Sequence, residues 1–195
     1  MESGKPLTFV EQARRAQIVG VTIDVVAEHG FAKASLQRIA DAAGLTKAAV
    51  LYHFPSKDAI VRAAYGQVIE GLTSHVGRAV AARSGAAALE AYVRSLIEHL
   101  RANPTHVRMI VEAIVEDTGV EDVPRASSRR DAVAGLVRGA VAAGDYRADV
   151  DPVVTAVLID GAVDAIVGEF LADPAFDTGA AAAELIDLLR RGYGR

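Results

Sequence analysis

The chain has 195 residues, of which 51% are hydrophobic, 24% charged and 5% aromatic, the proportions of a globular protein able to bury a core. No stretch approaches the roughly 18 consecutive apolar residues of a membrane span, and Met1 to Val10 lacks the apolar block of a signal peptide, so a cytoplasmic protein without a membrane partner is expected. The absence of cysteine excludes disulfides, thiolate zinc sites and cysteine nucleophiles together, leaving packing to hold the fold.

The net charge of -4 hides a split. Residues 1 to 62 carry eight Lys or Arg against six acids, a balance of +2, while the remaining 133 carry 13 bases against 19 acids, a balance of -6. A mildly basic module on an acidic body suits a nucleic-acid contact joined to a part that stays off the phosphates.

Thirty-eight alanines, few β-branched alternations and apolar repeats at spacings of three and four predict an all-α protein of about nine helices. Ile18, Val21, Thr22, Val25 and Val26 mark a first helix of about four turns, stopped at His29-Gly30. Ser35 caps a short second helix that turns Leu36, Ile39 and Ala40 inward and closes at Gly44; Thr46 caps a third running to Phe54. From Lys57 the series Ile60, Ala64, Val68, Leu72, Val76 and Val80 sustains a fourth helix for over six turns. Leu89 to Leu100 forms a fifth, ended at Asn103-Pro104, and Val107 to Val115 a sixth. Asp117 to Pro124 reads as a loop, Val133 to Val141 as a seventh helix stopped by Gly144. Asp151-Pro152 opens an eighth, to about Leu171, and Ala181, Leu185, Leu188 and Leu189 mark the last.

The segment LQRIADAAGLTKAAVLYH, from Leu36 to His53, carries the functional signal. A helix-turn-helix needs a small residue where two backbones approach, a glycine in the turn and apolar residues on the facing sides. Ala40, Gly44 and the set Ile39, Ala43, Leu45 and Val50 meet those needs. The third helix would then turn Thr46, Lys47, Ala48, Ala49, Tyr52 and His53 outward. Such a face fits a DNA major groove about 12 Å wide, with Lys47 at a guanine edge or a phosphate and Tyr52 and His53 at the backbone. On spacing alone, a helical corner that merely packs is also open.

The run RRAQIVGVTIDVVAEHGFAKASLQRIADAAGLTKAAVLYHFPSKDAI, about a quarter of the chain, resembles the DNA-binding domain of the TetR family of bacterial transcriptional regulators. The likeness lies in Ala27, Glu28, Gly30 and Phe31, in Ile39, Ala40, Ala43 and Gly44, and in the exit His53 to Lys57. It implies a three-helix head over residues 1–56 and a helical ligand-binding and dimerisation domain over 57–195. It further implies a homodimer reading a palindromic operator in double-stranded DNA, a repressor released by a small-molecule effector. An architectural DNA-binding protein without an inducer stays open as the alternative. By the family pattern Thr46, Lys47, Ala48, Tyr52, His53 and Lys57 contact DNA. Leu51 departs from that pattern, standing where tyrosine is common, and cannot donate to a phosphate. Lys5 in the leader is expected to be solvated.

Past Lys57 no motif appears. A largely apolar effector pocket is expected around Leu72, His75, Tyr92, Leu96 and Met109, each on or beside an apolar stripe. No metal is expected, since His75, His99 and His106 lack ligand spacing, and no cofactor or catalytic framework is visible: there is no phosphate loop, no GxSxG elbow and no dinucleotide fingerprint. Glu112 and Glu116 fall opposite an apolar stripe and are expected in water. Asp160 and Asp164 lie one turn apart in the apolar Val153 to Phe170 helix and need either water or a pocket or interface partner. Gly161, Ala165 and Gly168 on that helix allow close helix approach, consistent with a dimer seam in the last two helices.

Overall fold

The computed structural model describes residues 8–115 and 123–195 and shows nine helices among them. They are α1 Phe9–His29, α2 Leu36–Ala43, α3 Lys47–His53, α4 Lys57–Ala81, α5 Gly85–Ala102, α6 Pro104–Val115, α7 Val123–Ala142, α8 Pro152–Ala172 and α9 Thr178–Tyr193. An isolated bridge between Tyr146 and Gly194 is the one strand-like pairing among the described residues. Lys5, Glu116 and positions 117–122 of the expected loop lie outside the described residues; Val123 and Pro124, also assigned to that loop, begin α7.

Two helices start well before their apolar periodicity does. The first helix was expected to be about four turns, but α1 has 21 residues. Thr8 and Glu11 form a capping box: the Thr8 hydroxyl accepts the Glu11 amide at 3.3 Å while the Glu11 carboxylate accepts the Thr8 amide at 2.8 Å. The stretch between that cap and Ile18 is largely solvated, so no apolar repeat announces it. Likewise α7 begins ten residues before Val133.

The chain divides into two compact units. The first contains α1 to α3, α4 through Ile69, and α6 from Thr105. Its core is built from fully buried Ile18, Ile39, Ala40, Val50, Ile60 and Met109. Each of these side chains larger than alanine contributes about 1.5–3 kcal/mol when withdrawn from water. The helix-turn-helix inside it is set by local caps. The Ser35 hydroxyl accepts the Arg38 amide at 3.1 Å, the Thr46 hydroxyl accepts the Ala49 amide at 3.1 Å, and Gly44 turns the corner with φ +66.

The second unit contains the rest of α4 with α5, α7, α8 and α9. Leu89, Val93, Ile97, Val137, Ile159 and Ile186 form its interior. Its polar staples are specific. Arg129 of α7 donates to Asp160 at 2.9 Å and to Asp164 at 2.9 Å on α8, so neither carboxylate left open by the sequence is without a partner. Asp160 is itself buried, and a buried carboxylate of this kind requires such a counter-charge. Arg190 of α9 grips both oxygens of Glu90 on α5 at 2.6 Å each. The Asp151 side chain accepts the amides of Val153 and Val154, with Pro152 at the first position of α8.

Candidate nucleic-acid interface

The three-residue turn Gly44–Thr46 leads into α3, whose cap Thr46 and first residue Lys47 stay exposed at the helix end while the helical period sets Ala48 and Tyr52 opposite Val50 and Phe54. Val50 and Phe54 are buried, whereas Thr46, Lys47, Ala48 and Tyr52 are exposed and His53 is half-buried. Among the described residues the Lys47 ammonium has no protein partner, so it is available to a base edge or a phosphate. The Thr46 hydroxyl already accepts the Ala49 amide, which leaves its proton to donate. Tyr52, 75% exposed, stands edge-on to the His53 ring at 5.0 Å. Leu51 is also exposed and presents only hydrocarbon.

Polar residues of α1, which the sequence reading did not single out, brace α3. Arg15 donates to the His53 carbonyl and lies over the Phe54 ring at 4.0 Å. Gln17 donates to the Ala43 carbonyl at 3.1 Å, occupying an orphan acceptor at the end of α2. Glu11 accepts the Tyr52 hydroxyl at 3.3 Å, and its hydrogen bonds from Thr8 hold its carboxyl below the usual range. Tyr52 thus has an acceptor on α1 that DNA would have to replace. The polar residues Glu11, Arg15 and Gln17 just before an apolar run were the available signal.

Lys57, expected to meet DNA, has partners within the protein. Its ammonium donates to the Phe31 carbonyl at 2.8 Å and sits 3.8 Å from the Phe31 ring centroid. It therefore holds the corner between α1 and α2 as well as standing at the start of α4.

The expected pocket residues fall in both units. Tyr92 and Leu96 are buried and Leu72 is half-buried in the second unit, where the His75 ring lies 5.0 Å from that of His99. Met109 is instead packed in the core of the first unit. The Tyr92 hydroxyl is buried without a hydrogen-bond partner, and burial, aided by the charges of Asp160 and Asp164 and opposed by Arg129, pushes its pKa up to about 12. An open cleft of about 730 Å³ in the same unit is lined by other residues, among them Arg94, Ile97, Arg101, Phe170, Phe176 and Thr178. Among the described residues no group of three or more His, Asp or Glu is placed to hold a metal, and no helix is long and apolar enough to cross a membrane.

Residues 18–64, which span the braced helix-turn-helix, match the family model of bacterial regulatory proteins, tetR family. The HTH-type transcriptional regulator BetI of Stenotrophomonas maltophilia (strain R551-3) is 36% identical over 73 residues, covering 37% of this chain and 37% of BetI. Residues 18–64 are therefore a TetR-family DNA-binding segment. A second TetR-family relative, the HTH-type transcriptional regulator RutR of Escherichia coli (strain K12), is 29% identical over 97 residues, which is 50% of this chain and 46% of RutR. The matched segment is thus about half the length of these curated relatives, or less. Beyond it the TetR likeness is one of fold: the structure of FadR from Bacillus subtilis in complex with stearoyl-CoA aligns with a TM-score of 0.80 at 16% identity, covering 91% of this chain and 98% of FadR.

Proposed function

We propose that this chain is a TetR-family ligand-responsive transcriptional repressor, bound to a palindromic operator as a homodimer and released by a small-molecule effector. The observation that carries it is the braced, outward face of α3, with an unpaired cation at its first residue and, near its end, a tyrosine with an acceptor on α1. In this reading α3 enters the major groove, with Thr46, Lys47, Ala48, Tyr52, His53 and Lys57 meeting DNA. Residues 1–56 act as the head and 57–195 as the effector and dimerisation domain. The protein works in the cytoplasm without catalysis.

An exposed apolar patch supports the dimer. Val153, Val154, Val157 and Leu158 of α8 and Leu188 of α9 are 48–59% exposed, and the exposed Gly161 and Ala165 extend the α8 face. A two-fold dimer over this patch would let two heads address half-sites about 34 Å apart. The effector is proposed to be largely apolar, as is stearoyl-CoA over its acyl chain in the FadR complex of the same fold. Leu72, His75, Tyr92 and Leu96 are its proposed contacts, with the Tyr92 hydroxyl, unpartnered among the described residues, as the polar one.

Selecting bound fragments from genomic DNA tests the reading. Recovery of a palindrome protected by the dimer and freed by a metabolite extract supports it. Binding without sequence preference and without release by any fraction supports the architectural alternative instead.

A further inference from the structure

Glu112 was expected to be a solvated carboxylate on the outer side of its helix. The structure corrects this: it lies half-buried on α6, and its Oε2 accepts the Phe31 amide at 2.9 Å, across 81 residues of sequence. The corner that receives it is shaped for it. Gly30 has φ +78, and a Cβ added there would sit 3.1 Å from Glu112 Oε2, so a side chain at this position would press on the carboxylate as well as strain the backbone. On the other side the Lys57 ammonium takes the Phe31 carbonyl at 2.8 Å. Both polar groups of Phe31 are thereby held by charged side chains, one from α6 and one from α4, in hydrogen bonds stronger than neutral ones. Phe31 lies in the link that ends α1 and leads through the Ser35 cap into α2, the first helix of the helix-turn-helix.

We propose that Glu112 is a positioning residue for operator binding: by holding the Phe31 amide it fixes the α1–α2 corner, and with it the angle at which α2 and α3 are presented to DNA. This rests on the reading of residues 1–56 as a DNA-binding head. Glu112 contacts no DNA itself. Its negative charge, taken alone, opposes phosphate, so its loss should strengthen binding if only charge mattered. The positioning role carries the opposite sign. A head whose corner is released occupies the binding-competent arrangement for a smaller fraction of the time, and the apparent affinity falls by that fraction.

Two conservative substitutions in the full chain separate reach from charge. Glu112→Asp keeps the charge but draws the carboxylate back by one methylene, out of reach of the amide. Glu112→Gln loses the charge but keeps an oxygen at the same length. Operator affinity is read by fluorescence anisotropy across a salt series, alongside exchange of the Phe31 amide by NMR. Glu112→Asp should bind the operator roughly five- to tenfold more weakly, with an unchanged salt slope because no phosphate contact is lost, and should exchange the Phe31 amide faster. Glu112→Gln should stay within about twofold of the parent in affinity and keep the amide protected. Equal affinity in all three proteins, or a loss in the glutamine variant as large as in the aspartate variant, would overturn the proposal. If the parent chain binds no DNA, the DNA-binding reading itself falls and takes this role with it.

Discussion

If the chain pairs through the exposed face of α8, truncating Leu158 to alanine should weaken that dimer while leaving the protomer intact. Leu158 is 58% exposed in the single chain, so little of its hydrocarbon is used in the fold of the protomer. Fully burying a leucine contributes about 1.5–3 kcal/mol, and the part still exposed here is a little over half, or about 1–1.7 kcal/mol. A two-fold interface counts the residue twice, giving about 2–3.5 kcal/mol, of which alanine would retain a fraction. The dimer dissociation constant should therefore rise by roughly 10- to 100-fold. Protomer stability should move by no more than about 0.5 kcal/mol, unlike the roughly 2–5 kcal/mol of a leucine truncated in a packed core. Sedimentation velocity over a concentration series reads the first quantity, and urea unfolding at concentrations where both proteins are monomeric reads the second. An unchanged dissociation constant would show that the patch is not the seam. A protomer destabilised by several kcal/mol would show that Leu158 is packed within the fold instead.

Three further outcomes follow from particular contacts. Lys47→Ala should cost operator binding about 1–3 kcal/mol, more than it costs random DNA, with no change in melting temperature, whereas Lys57→Ala should also lower the melting temperature because it frees the Phe31 carbonyl and ring; equal losses on both DNAs for Lys47→Ala would make it a phosphate anchor. Arg129→Met should destabilise the chain by about 1–2 kcal/mol in denaturant, since Asp160 stays buried while half-exposed Arg129 had only part of its attraction to give; no change would mean water replaces it fully. Burial pushes both Tyr92 and Tyr146 up to about 12, so the fold favours their neutral forms: their contribution is complete below pH 10 and lost as pH climbs from 10 to 12, by at most about 3 kcal/mol each. Replacing both by phenylalanine should flatten that alkaline limb, and a limb unaltered in the double variant would trace the loss to other groups.

Features governed by neighbours in sequence were readable from the chain alone. Ser35, Thr46 and Asp151 each cap a backbone amide two or three residues onward, and Gly44 closes its own corner, so short patterns suffice to place α2, α3 and the start of α8. The opposition of buried Val50 and Phe54 to exposed Ala48 and Tyr52 came from the same local rule, since a 3.6-residue period sets them on opposite sides, while Thr46 and Lys47 stay exposed as the cap and first residue of the helix. The starts of α1 and α7 were harder because their first turns carry no apolar repeat. Arg129 lies in that part of α7, and its acceptors are 31 and 35 residues further along.

The same distinction explains the functional residues that sequence reasoning placed differently. Periodicity reports which side of a helix a residue occupies; it carries no information about what approaches that side. Lys57 finds its acceptor 26 residues back, Arg15 finds His53 38 residues on, and Glu112 finds Phe31 81 residues back. From the sequence Glu112 therefore looked like a solvated charge and Lys57 like a DNA contact, while nothing singled out Arg15. Gly30 was the nearest thing to a local trace of the last contact. Its positive φ explains a glycine at a helix end, but the carboxylate 3.1 Å from the missing Cβ gives it a second requirement that only the folded chain displays. A glycine required twice is harder to replace than one required once. Relieving the carboxylate by shortening Glu112 should accordingly reduce the penalty of Gly30→Ala while leaving the backbone strain, so the two substitutions should couple rather than add in a double-mutant cycle of thermal stability. Simple additivity would show that Gly30 answers to its backbone angle alone.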